Sequence, residues 1–392
     1  MKKVINILFI GIIVLFLLSG LVFTLFFPDD INYLENRSAN KVEKLTLNNY
    51  LDGDFQEKFS DALHDQVPLQ GRMKKMYNYL NAAYEKIIIS EAIGKNTEQR
   101  YISIKDSLLF GNNLVYYPRD LETMKPDLDK KIENIAAKVK EDPDINFYVY
   151  YIEKDTDINF ETNEKVGAYE YLSEKFKENN IPIAGLEINS FKDFEEKFYK
   201  TDHHWNCYGS YQGYSEVMKL LNTEDELIKP EKELVLEKYK LSGSKAAAIG
   251  ATGIFTEKFP VYQFQYPEMD IRIDGGEAED YGKQQEYING EGDREGFSYA
   301  AFYGDDNAEI IFDTHNTEKD NLLVIGESYD NAILKLLASH FNKTYSIDLR
   351  NYERTFGAKF QFSEYVKDNQ IDKVLLIGNI DYFIMSEFML ED

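Results

Sequence analysis

Leu322-Leu323-Val324-Ile325-Gly326-Glu327-Ser328-Tyr329-Asp330-Asn331 runs four apolar residues into a glycine, a serine and a polar pair suited to starting a helix. A short unbroken apolar run closed by turn residues reads as a strand buried on both faces, the usual condition of a parallel sheet. The same alternation continues downstream, with a helix expected over about 331–341, a strand over 345–348, a helix over 361–368 and a strand over 373–377. Upstream, Leu128, Ile132, Ile135, Ala136 and Val139 fall on one helical face, followed by the aromatic and β-branched run 146–152, a helix over about 165–178 and the apolar run 183–186. Strand, helix, strand in this order predicts an α/β domain built on a parallel sheet flanked by helices. Between the two halves, about 224–320 is poor in helical periodicity and rich in Gly, Asp and Glu, notably over 275–296. That stretch reads as an irregular, partly β insertion covering the sheet. Its acidic run 276–280 lacks the spacing of an EF-hand loop and fits a solvated loop.

The chain opens differently. After Lys2 and Lys3, residues 4–27 are almost entirely apolar. At 1.5 Å per residue such a helix spans roughly 36 Å, enough to cross the hydrocarbon layer with some tilt. The run passes through Leu25, Phe26 and Phe27 into Pro28 without a small-residue cleavage site, so 1–27 reads as an uncleaved transmembrane signal anchor. Lys2 and Lys3 at the entry compete with Arg37, Lys41 and Lys44 beyond the exit, and the charge count is nearly even. Asp29 and Asp30 directly at the exit favour a short cytoplasmic tail with the bulk of the chain outside the cell membrane. Residues 28–100 then read as a membrane-proximal helical neck, with Phe55, Phe59, Ala62 and Leu63, and later Met73, Met76, Tyr77 and Leu80, at helical spacing. Residues 101–392 form the α/β domain. The formal net charge of −25 disfavours nucleic acid, whose binding depends on cations displacing counterions. A single cysteine, Cys207, permits neither an internal disulfide nor a dithiol centre.

Chemistry concentrates in two places. In Thr201-Asp202-His203-His204-Trp205 an aspartate stands two residues before a histidine, where it can accept the Nδ1–H of His204 and leave Nε2 as a base. The rivals are a metal site, for which neighbouring side chains diverge so that adjacent histidines rarely both reach one ion and further ligands are wanting, and a helix N-terminus capped by Asp202 with surface histidines. Trp205, the sole tryptophan, fits either a core plug or the wall of a sugar cleft. The partner for such a base is Ser328, placed at the carboxyl end of a buried strand, where open α/β sheets build their sites; the rival is a helix cap. Asn379, after the strand over 373–377, could aim its amide at an oxyanion or simply form a turn. Arg350 could meet an anionic or polar substrate group, though a structural salt bridge is the plainer reading. Ser242 and Ser244 lack the strand-to-helix setting.

These residues together resemble a known family. Thr201 to Asn206, the late Gly326-Glu327-Ser328-Tyr329 and the early Glu35-Asn36-Arg37 look like the DHHW family, with Asp65-Gln66-Val67-Pro68-Leu69 and Leu108-Leu109-Phe110 as weaker landmarks. That family is similar to SGNH-hydrolase-like proteins acting in alginate and other polysaccharide O-acetylation. The resemblance implies an SGNH-hydrolase-like α/β fold, Ser328 as nucleophile, His204 as base and Asp202 as its orienter. Asn379, Arg350, Trp205 and His203 become possible oxyanion or substrate contacts. No cofactor and no metal are expected. The resemblance implies a polysaccharide acceptor, and a membrane-bound O-acyltransferase as acetyl donor. Glu327 replaces the aspartate usual in Gly-Asp-Ser. A plain carbohydrate esterase with the same triad, or a non-catalytic surface assembly protein, are the alternatives.

Overall fold

The computed structural model describes residues 9–15, 18–19, 22, 31–32, 37–38, 40–41, 44–51, 53–66, 76–77, 79–80, 99–104, 107–223, 225–253 and 255–391. Most of 4–27, where the anchor reading falls, lies outside them, although residues 9–15 are helical. Among the described residues no helix is long and apolar enough to cross a membrane.

The chain divides into two compact units, one of residues 1–91 with 246–255, the other of 92–245 with 256–392. In the first, a short antiparallel pair, Ile31–Asn32 with Arg37–Ser38, precedes helices Leu47–Leu51 and Asp54–Gln66. Phe55 and Phe59, four residues apart and so on one face, stack at 5.5 Å.

The second unit is built on one eight-stranded sheet. In chain order its strands are β1 (Asn146–Ile152), β2 (Ile183–Leu186), β3 (Asp270–Ile273), β4 (Gly276–Ala278), β5 (Glu309–Asp313), β6 (Leu322–Ile325), β7 (Lys343–Ile347) and β8 (Lys373–Gly378). Their spatial order is β4-β3-β5-β7-β6-β8-β1-β2. The five strands from β7 to β2 are mutually parallel. β5, β3 and β4 add an antiparallel edge. The sheet is therefore mixed, which corrects the expectation of a parallel one. The added strands come from the segment read as an irregular insertion, and β5 pairs with β7 through Ile310↔Ser346 and Phe312↔Thr344.

Period-two burial explains why β6 must be central. Leu322 and Val324 face one apolar layer, Leu323 and Ile325 the other. Helices α1 (Leu121–Glu141), α2 (Ala168–Glu178), α6 (Phe362–Asp368) and α7 (Ile380–Ile384) bury Leu128, Ile132, Leu172, Val366 and Tyr382 with the second layer. On the first lie α3 (Cys207–Leu220) and α4 (Leu334–Ala338), through Tyr214, Val217 and Leu337. α5 (Leu349–Phe356) follows β7. Helices on both faces leave the carboxyl edge of the parallel strands as the place where loops converge.

Candidate active site

Gly326 closes β6 because nothing larger fits: a Cβ there would stand 2.2 Å from Asp330 Oδ2 and 3.0 Å from the carbonyl of Ile377 on β8. The chain then turns through Ser328 and Tyr329 into a 3-10 turn over Asp330–Ala332 before α4 begins. The continuous helix expected from 331 is thus broken in two. Its first turn is closed by i→i+3 bonds, Asp330 N–H to Glu327 C=O at 2.9 Å and Ile333 N–H to Asp330 C=O at 2.8 Å.

The histidine string connects helix Phe191–Lys197 to α3 as a tight reversal, with an isolated bridge between Phe198 and Trp205. The cap of α3 is Asn206, whose side chain accepts from Tyr208 and Gly209 N–H, not Asp202. That frees the aspartate for other work. Asp202 Oδ1 lies 2.6 Å from His204 Nδ1 and accepts the His204 backbone N–H at 3.0 Å, while Oδ2 accepts Ser244 N–H at 2.8 Å. On the far side of the ring, His204 Nε2 stands 2.8 Å from Ser328 Oγ, across 124 residues of sequence. Tyr299 stacks flat on the imidazole, centroids 3.8 Å apart and planes within 2°. Burial alone would raise the Asp202 carboxyl; the charge and hydrogen bonds of His204, helped by His203, outweigh it and hold the group well below the usual carboxylate range.

Two reciprocal bonds lock string to turn. The Trp205 indole donates to the Tyr329 carbonyl at 2.9 Å, and the Tyr329 hydroxyl donates to the His203 carbonyl. Trp205 is fully buried, so of its two readings it is the core plug and not a cleft wall.

Residues of distant loops hold the string in place. Glu257 accepts from Lys200 N–H at 2.9 Å, Thr201 N–H at 2.7 Å and the Thr201 hydroxyl at 2.8 Å. Gly243 N–H donates to Thr201 Oγ1 at 3.1 Å. Ser244 Oγ lies 2.5 Å from His203 Nδ1. Only Leu241-Ser242-Gly243-Ser244 carried a local signal, its Gly-Ser turn chemistry; Glu257 and Tyr299 carried none. His203 itself is part-exposed, 3.7 Å from Asp202, and burial together with the neighbouring His204 charge pushes its ring well below the ordinary value, so it stands neutral.

The remaining expected contacts are spent elsewhere. Asn379 caps α7 with Oδ1, accepting Asp381 N–H at 2.9 Å, and its amide donates to Glu327 Oε1, which also accepts the Asn379 backbone N–H at 3.2 Å. One N–H of its amide is therefore committed to Glu327. The departure from Gly-Asp-Ser acquires a physical account here: the longer glutamate reaches the end of β8. Arg350 grips Asp348 (Nη2–Oδ2 2.6 Å) and Asp306 (3.2 Å) as a structural ion pair. Asp202, His203 and His204 bring ligand atoms within 4.8 Å of one another. A cation there would have to displace the Asp202–His204 hydrogen bond.

A family model described as DHHW protein matches residues 151–347, just over half of the chain. The chain belongs to the DHHW family. Among curated proteins none matches it. This DHHW protein superposes on Bacillus cereus PatB1 carrying a sulfonyl adduct with TM-score 0.55 at 19% identity, covering 75% of this chain and 100% of that one. With a DHHW family protein from Eubacterium siraeum DSM 15702 the TM-score is 0.56 at 13% identity, over 74% and 98% of the two chains. At such identities the likeness speaks to the shared α/β fold.

Proposed function

We propose that this DHHW protein is a membrane-anchored, extracytoplasmic O-acetyltransferase acting on a cell-surface or secreted polysaccharide through an acyl-serine. The observation that carries this reading is the hydrogen-bonded chain from Asp202 through His204 to Ser328, at 2.6 and 2.8 Å. Ser328 Oγ attacks the acetyl carbonyl as its proton passes to His204 Nε2, which hands it to the departing group. A sugar hydroxyl then attacks the serine ester, gives its proton to His204, and Ser328 leaves with that proton restored. Asp202 stays ionised throughout and keeps the imidazole in the tautomer with a free Nε2. The backbone N–H of Ser328 is the oxyanion donor in this scheme. No cofactor enters. Acetyl-CoA is cytoplasmic, so the donor outside the cell is a membrane-bound O-acyltransferase, and the apolar residues 4–27 hold the protein beside it in the bilayer.

Mass spectrometry of the protein made together with such a donor tests the proposal. An acetyl group on Ser328, lost in Ser328→Ala along with glycan acetylation, is expected, with turnover of an activated acetyl ester falling on the order of 10⁴-fold or more. Unchanged glycan acetylation in Ser328→Ala sinks it. Ester hydrolysis without sugar acetylation would make the same triad that of an esterase.

A further inference from the structure

The His204 ring is enclosed beyond what its hydrogen bonds require. Its two nitrogens meet Asp202 and Ser328. Its face is covered as well, by the Tyr299 ring at 3.8 Å between centroids with the planes 2° apart. Two neutral aromatic rings prefer an offset or edge-on arrangement with centroids further apart, because their electron-rich faces repel. Tyr299 meets its other neighbours in that ordinary way, Tyr303 tilted by 45° at 4.8 Å and Tyr199 edge-on at 6.3 Å. A close, flat stack is instead the arrangement favoured when one ring carries positive charge and lies over the face of the other.

The stack is built in. Tyr299 opens a short helix, Tyr299–Tyr303, capped by Ser298, whose hydroxyl accepts Ala301 N–H at 3.0 Å. At the other end the Asn331 amide donates to the Gly304 carbonyl at 3.1 Å, so the turn that carries Ser328 also fixes the helix that carries Tyr299. Tyr299 is buried, and among the described residues its hydroxyl has no hydrogen-bond partner of ordinary geometry. The adjoining Trp205 indole gives its N–H to the Tyr329 carbonyl. Burial pushes the phenol well above its ordinary value, so it stays neutral. What Tyr299 offers His204 is its face. The other groups around the imidazole are Asp202, the neutral His203 at 3.9 Å between centroids, Tyr329 at 5.0 Å, and Asp306, which is paired with Arg350.

We infer that Tyr299 is a positioning residue for acyl transfer, its ring face stabilising the imidazolium that forms when His204 takes the proton of Ser328. The inference rests on the acyl-serine reading for the source of that proton. Tyr299 itself gives and takes none; the proton still passes from Ser328 Oγ to His204 Nε2 and on to the departing group. The test is the pH profile of kcat/KM for an activated acetyl ester, measured on the full chain in detergent with phenylalanines of increasing ring fluorination at position 299. Fluorine drains the ring face of negative potential while leaving the ring apolar, so a role in packing alone would not follow the series. Tyr299→Phe should keep the profile of the parent. From Phe to the most fluorinated ring the acid limb should move down by about one pH unit and the plateau fall about tenfold, and Tyr299→Leu, which has no π face, should match that end of the series. An acid limb that stays in place across the series, or that moves as far with Tyr299→Phe, would overturn the assignment. An NMR titration of the His204 ring, identified by its loss in His204→Gln, reads the same shift without turnover, and sulfonyl fluoride labelling of Ser328 separates the two claims. Label with no shift removes the role of Tyr299 alone; a shift in protein that takes no label keeps that stabilisation of the imidazolium and removes the acyl-serine reading.

Discussion

The turn that carries Ser328 and the string that carries His204 are held by opposite means. Ser328 hangs from β6, a strand paired on both sides, and Gly326 packs against β8 with no room to spare. The string has one isolated bridge and otherwise leans on distant loops: backbone N–H groups of Gly243 and Ser244 in front, the Glu257 carboxylate behind, the Tyr329 hydroxyl across. A serine at the end of a strand is positioned by the fold itself. A histidine on a loop is positioned by a handful of hydrogen bonds, and its geometry is correspondingly open to single substitutions.

Within the string, Asp202→Asn gives the largest effect. The amide favours the wrong imidazole tautomer, and acetyl-ester turnover should fall about 10³- to 10⁴-fold with the fold intact by circular dichroism. The same variant has a pH signature. Because the folded carboxyl is lowered, its stabilisation is complete above the unfolded value near pH 4 and is lost as pH falls toward the folded value. The gap in Tm between the parent and Asp202→Asn should accordingly narrow below about pH 4; a constant gap would mean that the Asp202–His204 bond does not form in solution.

How far each half was visible in the sequence follows the same division. The strands 146–152, 183–186 and 322–325 were legible because each is written in a run of largely apolar residues. β7 begins at Lys343, two residues before its apolar core, since Lys343 and Thr344 pair with Asp313 and Phe312 of a strand that was not anticipated. β5 alternates buried and part-exposed residues over only five positions inside a Gly- and acid-rich stretch, too brief to stand out. For the site, the D-x-H spacing and the strand-end serine were local signals. Glu257 touches the string across 56 or 57 residues and Ser244 across 41 or 42, and nothing in either neighbourhood points at a histidine. Trp205 and Asn379 were ambiguous for a related reason: a residue type states what it can bond to, and the partner decides what it does.

Gly243→Ala probes the front of the string. A Cβ there would fall 2.3 Å from Asp202 Cβ and 2.6 Å from its Cα, so the aspartate must move. A shift near 1 Å in a triad member costs about 10²-fold, and kcat for an activated ester should drop by that order while sulfonyl labelling of Ser328 slows in parallel. Glu257→Gln probes the back. It turns one accepting oxygen into a donor facing N–H groups, and loss of about 1–3 kcal/mol of stability in urea denaturation is expected, with turnover reduced about tenfold. Glu257→Asp, which keeps the charge, should recover part of it. The smallest effect belongs to the sheet side. Asn379→Ala removes a helix cap and one donor to Glu327, for roughly 1–2 kcal/mol, and turnover should change only a few-fold. A larger loss of activity than in Gly243→Ala would reverse the contrast and put the serine turn, not the string, at the mercy of single bonds.

Trp205 offers one practical consequence. It is the chain's single tryptophan, it adjoins His204, and its indole is tied to the residue after Ser328. Excitation at the red edge of the ultraviolet, where the many tyrosines hardly absorb, thus selects a chromophore lodged at the seam between His204 and Ser328. Its emission is a built-in optical gauge of that seam, readable during heating, acylation or glycan loading without any added dye.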